Sequence, residues 1–345
     1  MTLPAMTLTE ILRAEIAASG PMRFRDFMAR ALYDPQHGYY ASGRARIGRK
    51  GDYFTSVSVG PLFGTLLARQ FAEVWEKLGR PADFTLVEQG AHDGTLAADV
   101  LAAFPAHLTI IEPSPHWRAL QQQKLAGRDV RWVESVAALE PFTGVHFSNE
   151  LLDAFPVHLV HRAADGLRER AVALEGDRFV FVDVPLSSDR LHEGEVNLAA
   201  LDWIASLAPK LTRGIVLIID YGHTRSALPT GPTLEAIASH RRVDPLATPG
   251  EADLTAHVDF TALAEATDLE VLGFTDQHHF LTGLARLHFV EGTPPDPRDA
   301  RAFQTLSHPT MLGRAFKALA LGRGVEGQLS GFAFARDPRA ELGLT

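Results

Sequence analysis

One stretch, Val87-Glu88-Gln89-Gly90-Ala91-His92-Asp93-Gly94-Thr95-Leu96, limits the fold more than any other in this chain. An apolar β run, Phe84 to Val87, leads into it, and a helical pattern, Leu96 to Phe104, leaves it. A strand ending on an acid, then glycines, then a helix start is how an open α/β sheet meets a nucleotide-like ligand. The glycines admit the ligand to the backbone, and the first helical turn offers unpaired N–H groups. About 20 residues beyond the glycines, Leu108-Thr109-Ile110-Ile111-Glu112 is a second β run tipped by a carboxylate, where an acid can hold ribose hydroxyls. Together the two runs point to a nucleoside-cofactor site; the blander alternative is an ordinary strand–turn–helix junction.

The flanking pattern supports an α/β fold. Thr7-Leu8-Thr9-Glu10 reads as a capping box before an amphipathic helix, and Phe24 to Leu32 as a second helix. Ser42 to Gly60 is a long polar loop with glycines among aromatics, and Pro61 to Leu78 is a long helix. From Phe84 strands and helices alternate: a helix begins at Ser114-Pro115, and short strands fall at Val130 to Val133 and Val145 to Glu150. Candidate strands at Val157 to His161, Arg168 to Leu174 and Phe179 to Val182 form a β-rich insert, and Glu195 to Leu207 reads as helix. Gly214 to Asp220 is the most continuous apolar run and reads as a strand buried on both faces. Beyond it, Leu234 to Ser239 is a weak helix, Asp259 caps a helix over Phe260 to Ala266, Leu269 to Phe274 is strand and Phe280 to Phe289 helix. Arg301 to Leu321 reads as helix and Gln328 to Ala335 as the final strand. The alternation implies a mostly parallel sheet with helices on both faces.

Composition narrows the function classes. A 345-residue chain with 46% hydrophobic and 22% charged residues can bury a real core. Its net charge of −9 argues against a general nucleic-acid coat, which needs clustered Lys and Arg. With no cysteine there are no disulfides, thiol nucleophiles or thiolate zinc sites. The apolar runs are far short of a membrane span, and Met1 to Met6 lacks a signal core and an Arg-rich transit pattern, so a cytoplasmic protein without membrane association is expected.

Further segments carry a resemblance. These are Gly38-Tyr39-Tyr40, Ile47-Gly48 with Gly51-Asp52-Tyr53-Phe54-Thr55-Ser56, Ser148 to Pro156, Asp220-Tyr221-Gly222, Asp244-Pro245-Leu246, Pro249-Gly250 and Asp253 to Phe260. With Glu88 to Leu96 and Glu112 they make the chain, over roughly residues 7–335, resemble the MidA-like S-adenosylmethionine-dependent methyltransferases, relatives of a mitochondrial protein arginine methyltransferase that assists complex I assembly. The resemblance implies a seven-stranded, mostly parallel methyltransferase sheet with an antiparallel last strand, helices on both faces, an N-terminal helical extension and a β-rich insert. The organisation expected is N-terminal helices and a cofactor-covering loop over 1–80, the core over 81–335 with inserts at about 157–190 and 222–258, and a tail over 336–345.

The resemblance also implies site residues for S-adenosyl-L-methionine. Gly90 and Gly94 would lie under its methionine part, among Glu88, His92, Thr95 and Leu96. Glu112, with Pro113 and Ser114, would take the ribose hydroxyls, and Glu134 or Ser135 would sit near adenine. The loop Gly51, Asp52, Thr55 and Ser56 would close over the cofactor, and Asn149-Glu150 would face the methyl group. One position departs from the family pattern: His92 stands where the middle glycine is usual. If that position needs positive φ, His is among the better-tolerated substitutes at some cost. Its ring would either crowd the cofactor's carboxylate or hydrogen-bond it.

Glu150 suits an arginine acceptor, since a carboxylate pairs bidentately with guanidinium, and Asp153 offers a second, shorter acid. The alternative for Glu150 is a strand-end acid of no special role. His257 could orient substrate or move a proton, or it could simply satisfy loop carbonyls, with Asp259 capping the next helix. Asp220 and Tyr221 end the central strand either at the ligand edge or as a plain turn. Arg44, Arg46, Arg49 and Lys50 read as a solvated face over an anion site. His158 and His161 fall on opposite strand faces, and His278-His279 lack acidic neighbours, so no metal is expected. The favoured reading is a methyltransferase acting on protein arginine. A non-catalytic assembly protein with the same fold and a small-molecule O- or N-methyltransferase are the alternatives.

Overall fold

A computed structural model of the chain describes residues 6–41, 55–286, 288–289 and 296–344. They fall into two units by contact: one takes 55–152, 201–228 and 258–344, the other 6–41, 153–200 and 229–257.

The first unit is built on seven strands: β1 (Phe84–Gln89), β2 (His107–Ile111), β3 (Val130–Val133), β4 (Phe142–Asn149), β5 (Leu211–His223), β6 (Glu270–Asp276) and β7 (Phe316–Arg323). Their order is β6-β7-β5-β4-β1-β2-β3, and a two-residue strand, Val258–Asp259, lies beside the end of β5. Strands β1 to β5 run parallel, and β7 runs antiparallel to both β5 and β6. Apolar Ile215 to Ile219 are at most 1% exposed, so β5 is covered on both faces as a near-continuous hydrophobic strand requires. Adjacent residues of β4 show the two covers, because successive side chains point oppositely. Phe147 packs on Phe71 of helix α1 (Leu62–Lys77), with ring centroids 4.9 Å apart. His146 instead meets Trp203, of the helix Leu198–Leu207, edge-on at 5.5 Å. Helices α2 (Thr95–Ala103) and α3 (Pro115–Lys124) follow β1 and β2.

The last part of the chain departs from expectation. Helix Pro297–Ser307 stops early, Pro309–Gly313 makes a π-helical turn, and Phe316–Arg323 is strand. Phe316-Lys317-Ala318-Leu319-Ala320-Leu321 holds good helix formers, but pairing between β5 and β6 with both faces buried overrides that local preference. The expected strand Gln328–Ala335 is a loop with a 3-10 turn at Ser330–Phe332, whose Phe332 ring packs on Gly273 so closely that a Cβ there would lie 2.3 Å from it.

In the second unit an antiparallel sheet orders Met22–Arg23, Gly166–Glu175, His158–Ala163 and Gly194–Val196, with Arg178–Val184 beside Gly166–Glu175. The helix Leu8–Ser19 opens on the expected capping box, Thr7 with Glu10. The helix Phe24–Tyr33 buries Phe24 and Phe27 against Phe181 and Phe179, at 5.6 and 5.4 Å. Two short pieces correct the reading of the sequence. Residues Glu235–Ala238 form a strand instead of a helix, turning through Ser239 and His240 at φ +50 and +61 into Arg241–Arg242. That pair of positive φ angles is the two-residue hairpin geometry, which apolar periodicity cannot reveal. Gly194–Val196 is strand, and the helix expected from Glu195 begins at Leu198. No helix among the described residues is long and apolar enough to cross a membrane.

Candidate active site

Strands β1 and β2 deliver Glu88 and Glu112 to the same end of the sheet, since they are parallel and adjacent. Between β1 and α2 the chain turns tightly. Gly90 and Gly94 both have φ +80, a region that costs other residues energy. Gly90 is exposed, while a Cβ on Gly94 would touch Gln121 and Leu125 of α3 at 3.5–3.6 Å. A Cβ on Gly90 would meet the Leu151 side chain at 3.2 Å, so Gly90 makes room for the loop after β4, and Gly94 lets α3 approach the turn.

His92 takes φ +46, so the position that departs from the family's glycine is left-handed. Its ring lies 4.2 Å from that of Trp117, its Nδ1 is 3.8 Å from Asp93 Oδ1, and its buried Nε2 has no partner among the described residues. Asp93 fastens the turn: Oδ1 accepts from the Thr95 N–H at 3.0 Å and Oδ2 from Lys124 Nζ at 2.5 Å. Burial pushes the Asp93 carboxyl up, but the His92 ring beside it and the bonds from Lys124 and Thr95 hold it well below the usual carboxylate range.

Glu88 is its opposite. It is 2% exposed, its Oε2 has no partner among the described residues, and burial, reinforced by the negative Asp93, lifts its pKa to about 8. Glu112 lies between these extremes. Its Oε1 accepts from the Ser114 N–H at 2.8 Å and its Oε2 from Gln121 Nε2 at 3.1 Å. Burial raises its pKa, and those two bonds oppose the rise.

The third strand end belongs to β4. Asn149 Nδ2 donates to Glu150 Oε1 at 2.9 Å, while the buried Asn149 Oδ1 has no partner among the described residues. Glu150 has φ +54, and its N–H donates to Ile219 O at 2.9 Å. Asp220, fully buried at the end of β5, accepts from the N–H groups of Leu151 and Leu152 through Oδ2, at 3.1 and 2.8 Å, and from Tyr221 through Oδ1 at 2.9 Å. The carboxylate that the sequence places at a strand edge therefore fixes the backbone just after Glu150.

The remaining candidates are distributed as follows. Leu96 is buried in the first turn of α2, and Pro113 is exposed beside Glu112. Glu134 is 77% exposed, its Oε1 3.8 Å from Arg118, and Ser135 Oγ accepts from the Ala138 N–H at 3.4 Å. Thr55 closes a turn with Ser58. Ser56 is fully buried and donates to Gln277 at 3.1 Å, so its hydroxyl has an interior partner. Gly51, Asp52, Arg44, Arg46, Arg49 and Lys50 lie outside the described residues. Asp153 and His257 belong to the second unit. There Asp153 is 5% exposed and its carbonyl accepts from the Ala256 N–H, while the His257 N–H donates to Thr233 Oγ1 at 3.0 Å. Asp259 caps its helix, accepting from the Ala262 N–H at 3.0 Å. Among the described residues no three His, Asp or Glu side chains are grouped to hold a metal ion.

Gln121 escapes the sequence reading. It is 0% exposed, and the signal was its spacing: Trp117 and Gln121 of α3 and Leu125 just after it, four apart, are all buried, and one is polar.

Comparison with known proteins agrees with this geometry. Residues 66–275 match the family model described as "Putative S-adenosyl-L-methionine-dependent methyltransferase". The mitochondrial protein arginine methyltransferase NDUFAF7 homolog of Drosophila melanogaster is 30% identical, over 92% of this chain and 85% of its own. Human mitochondrial NDUFAF7 is 27% identical, over 92% of this chain and 84% of its own. A Burkholderia thailandensis protein solved with S-adenosyl-homocysteine bound superposes with a TM-score of 0.85 at 32% identity, covering 96% of this chain and 98% of that one. The expectation of a cytoplasmic protein is overturned, because the curated relatives are mitochondrial proteins. On the span of the family match and these likenesses, the chain belongs to the S-adenosyl-L-methionine-dependent methyltransferases and uses S-adenosyl-L-methionine as its cofactor.

Proposed function

We propose that the chain methylates an arginine side chain of a protein, with Glu150 as the acceptor carboxylate. The observation that carries this reading is the fixed geometry of Glu150: φ +54, main chain bonded to Ile219, side chain bonded to Asn149. The names of the curated relatives, protein arginine methyltransferases, support the same acceptor.

The donor set suits the cofactor's groups. Glu88, buried with an oxygen unpaired among the described residues, suits the ammonium; His92 Nε2, unpaired among them too, suits the carboxylate. Glu112 has one donor on each oxygen and keeps an acceptor lone pair on each for the two ribose hydroxyls. Gly90, Gly94, Thr95 and Leu96 shape the turn beneath, Pro113 and Ser114 follow the ribose acid, and Glu134 and Ser135 stand on the adenine side.

When bound, the cofactor supplies an electrophilic methyl group on a sulfonium. Glu150 pairs with the guanidinium through two parallel N–H···O bonds, which displace water and aim one nitrogen. Asn149 holds Glu150 in that direction, and Asp220 holds the backbone beneath both. After transfer the methylated nitrogen sheds one proton.

The test is incubation of the protein with methyl-labelled cofactor and lysate from its own cells, then hydrolysis of the labelled protein. Label in methylated arginine is expected. Label in a small molecule, or in another residue, overturns the acceptor.

A further inference from the structure

We infer that Gln121 is the positioning residue that makes this site selective for a ligand with a vicinal ribose diol, by fixing Glu112 and the glycine turn with one amide. The inference rests on the cofactor site proposed above. Gln121 is 0% exposed, and every atom of its amide is used. Its Nε2 donates to the His92 carbonyl at 2.8 Å and to Glu112 Oε2 at 3.1 Å. Its Oε1 accepts from the Trp132 indole N–H at 3.0 Å.

The last bond decides the orientation. An indole nitrogen can only donate, so the oxygen of the amide must face Trp132 and the NH2 must face Glu112. A flipped amide would set N–H against N–H at Trp132 and oxygen against both the His92 carbonyl and the Glu112 carboxylate. The network has one self-consistent arrangement, and in it Glu112 receives a donor on each oxygen, one from Ser114 and one from Gln121. A carboxylate so held cannot rotate about its last torsion without losing a bond. Its remaining lone pairs are therefore aimed as a matched pair of acceptors, which two adjacent hydroxyls satisfy and one does not.

The same amide fixes the other half of the site. His92 is a non-glycine residue at φ +46, and its carbonyl is tied to Gln121. The turn and the ribose acid thus share one support, although β1 and β2 bring them from separate strands.

Calorimetry of S-adenosyl-homocysteine and its 2′-deoxy analogue, on the full chain, tests the role. Wild type is expected to prefer the diol. Gln121→Leu should weaken S-adenosyl-homocysteine about tenfold, the usual loss of a hydrogen bond to a charged group, and the deoxy analogue, which shares the turn but not the diol, by several-fold less. Trp132→Phe leaves Gln121 in place but frees its amide to turn, and should give a smaller loss of the same diol-selective kind. In a Glu112→Gln background Gln121→Leu should cause no further loss of preference for the diol. Equal losses for both ligands would make Gln121 merely structural and overturn the inference, as would unchanged binding. If Gln121→Leu does not fold, Trp132→Phe decides on the same criterion. Wild-type protein that binds neither ligand would overturn the proposed cofactor site itself, a result distinct from the other failures.

Discussion

The glycine turn after β1 and the loop after β4 solve one problem in two ways. Each places a large non-glycine residue at positive φ, His92 at +46 and Glu150 at +54. Such residues persist only where surrounding contacts over-determine them. In the turn the holding groups are side chains: Gln121 on the His92 carbonyl, Asp93 between Thr95 and Lys124, Trp117 against the ring. In the loop both holding groups belong to β5 and grip backbone N–H groups: Ile219 O takes that of Glu150, and the Asp220 carboxylate takes the next two. The turn spends its polar side chains on its own shape, whereas the loop leaves that work to β5 and keeps Glu150 directed by Asn149. A cofactor site must present a rigid, many-pointed surface; an acceptor site needs one carboxylate held at the right angle.

The largest effect expected is at Glu150. Glu150→Gln keeps the shape and the Asn149 contact but loses the charge that pairs with guanidinium. Transfer should fall by about 10²–10³-fold, as for loss of one preorganised polar contact in an active site, with cofactor binding by calorimetry unchanged. Loss of binding instead would erase the division between turn and loop. Next is Asp220→Asn. One end of the amide must now point N–H groups at N–H groups, either at Leu151 and Leu152 or at Tyr221. We expect a loss of roughly 2–3 kcal/mol in denaturant unfolding, with transfer reduced further than stability alone explains. A variant as stable as wild type would show that the loop does not depend on that carboxylate.

What the sequence made legible follows the same contrast. Strand ends β1 and β2, the acid on each and the glycines between could be read because periodicity and residue type act locally. Asp259 as a cap and Thr7-Glu10 as a capping box were legible for the same reason. Three features were not. Gln121 gains its role only when α3 packs on Gly94, so nothing adjacent in the chain announces it. Asp220 could be placed at a strand end, but its partners lie nearly 70 residues earlier. Strand β7 was masked by its own alanines and leucines, whose helical preference loses to the two strands that flank it.

Glu88 and Asp93 give the next test, since they sit in one turn and depart oppositely from ordinary carboxylates. Glu88 has a folded pKa of about 8 against an ordinary value of 4.5. Between those values the folded state keeps a proton that the unfolded chain has lost. Stability from this group is complete below pH 4.5 and is lost as pH rises toward 8. The slope is about −1.4 kcal/mol per pH unit at most. Unfolding measured across this window should lose that slope in Glu88→Gln. If Glu88 pairs with the cofactor's ammonium, binding must drive its proton off. Affinity for S-adenosyl-homocysteine should then fall as pH drops below about 8, with a proton released on binding in wild type and none in the variant. A pH-independent affinity would remove Glu88 from the ligand.

The smallest effect, and the sharpest on the comparison, is His92→Gly. Glycine at φ +46 relieves a strain of about 1 kcal/mol, but the variant forfeits the contact between the imidazole and Trp117. A ring pair of this kind is worth a similar amount, so thermal stability should move by less than about 1 kcal/mol in either direction. Binding separates the two roles left open for the ring. If Nε2 holds the cofactor's carboxylate, the variant should bind S-adenosyl-homocysteine several-fold more weakly, yet bind 5′-methylthioadenosine, which lacks that carboxylate, as wild type does. If the ring crowds the carboxylate, the first affinity should rise instead. Equal affinities for both ligands would mean that His92 shapes the turn without touching what binds there. The turn would then resemble the loop after β4 even less, with every polar group in it except Glu88 and Glu112 devoted to holding the backbone.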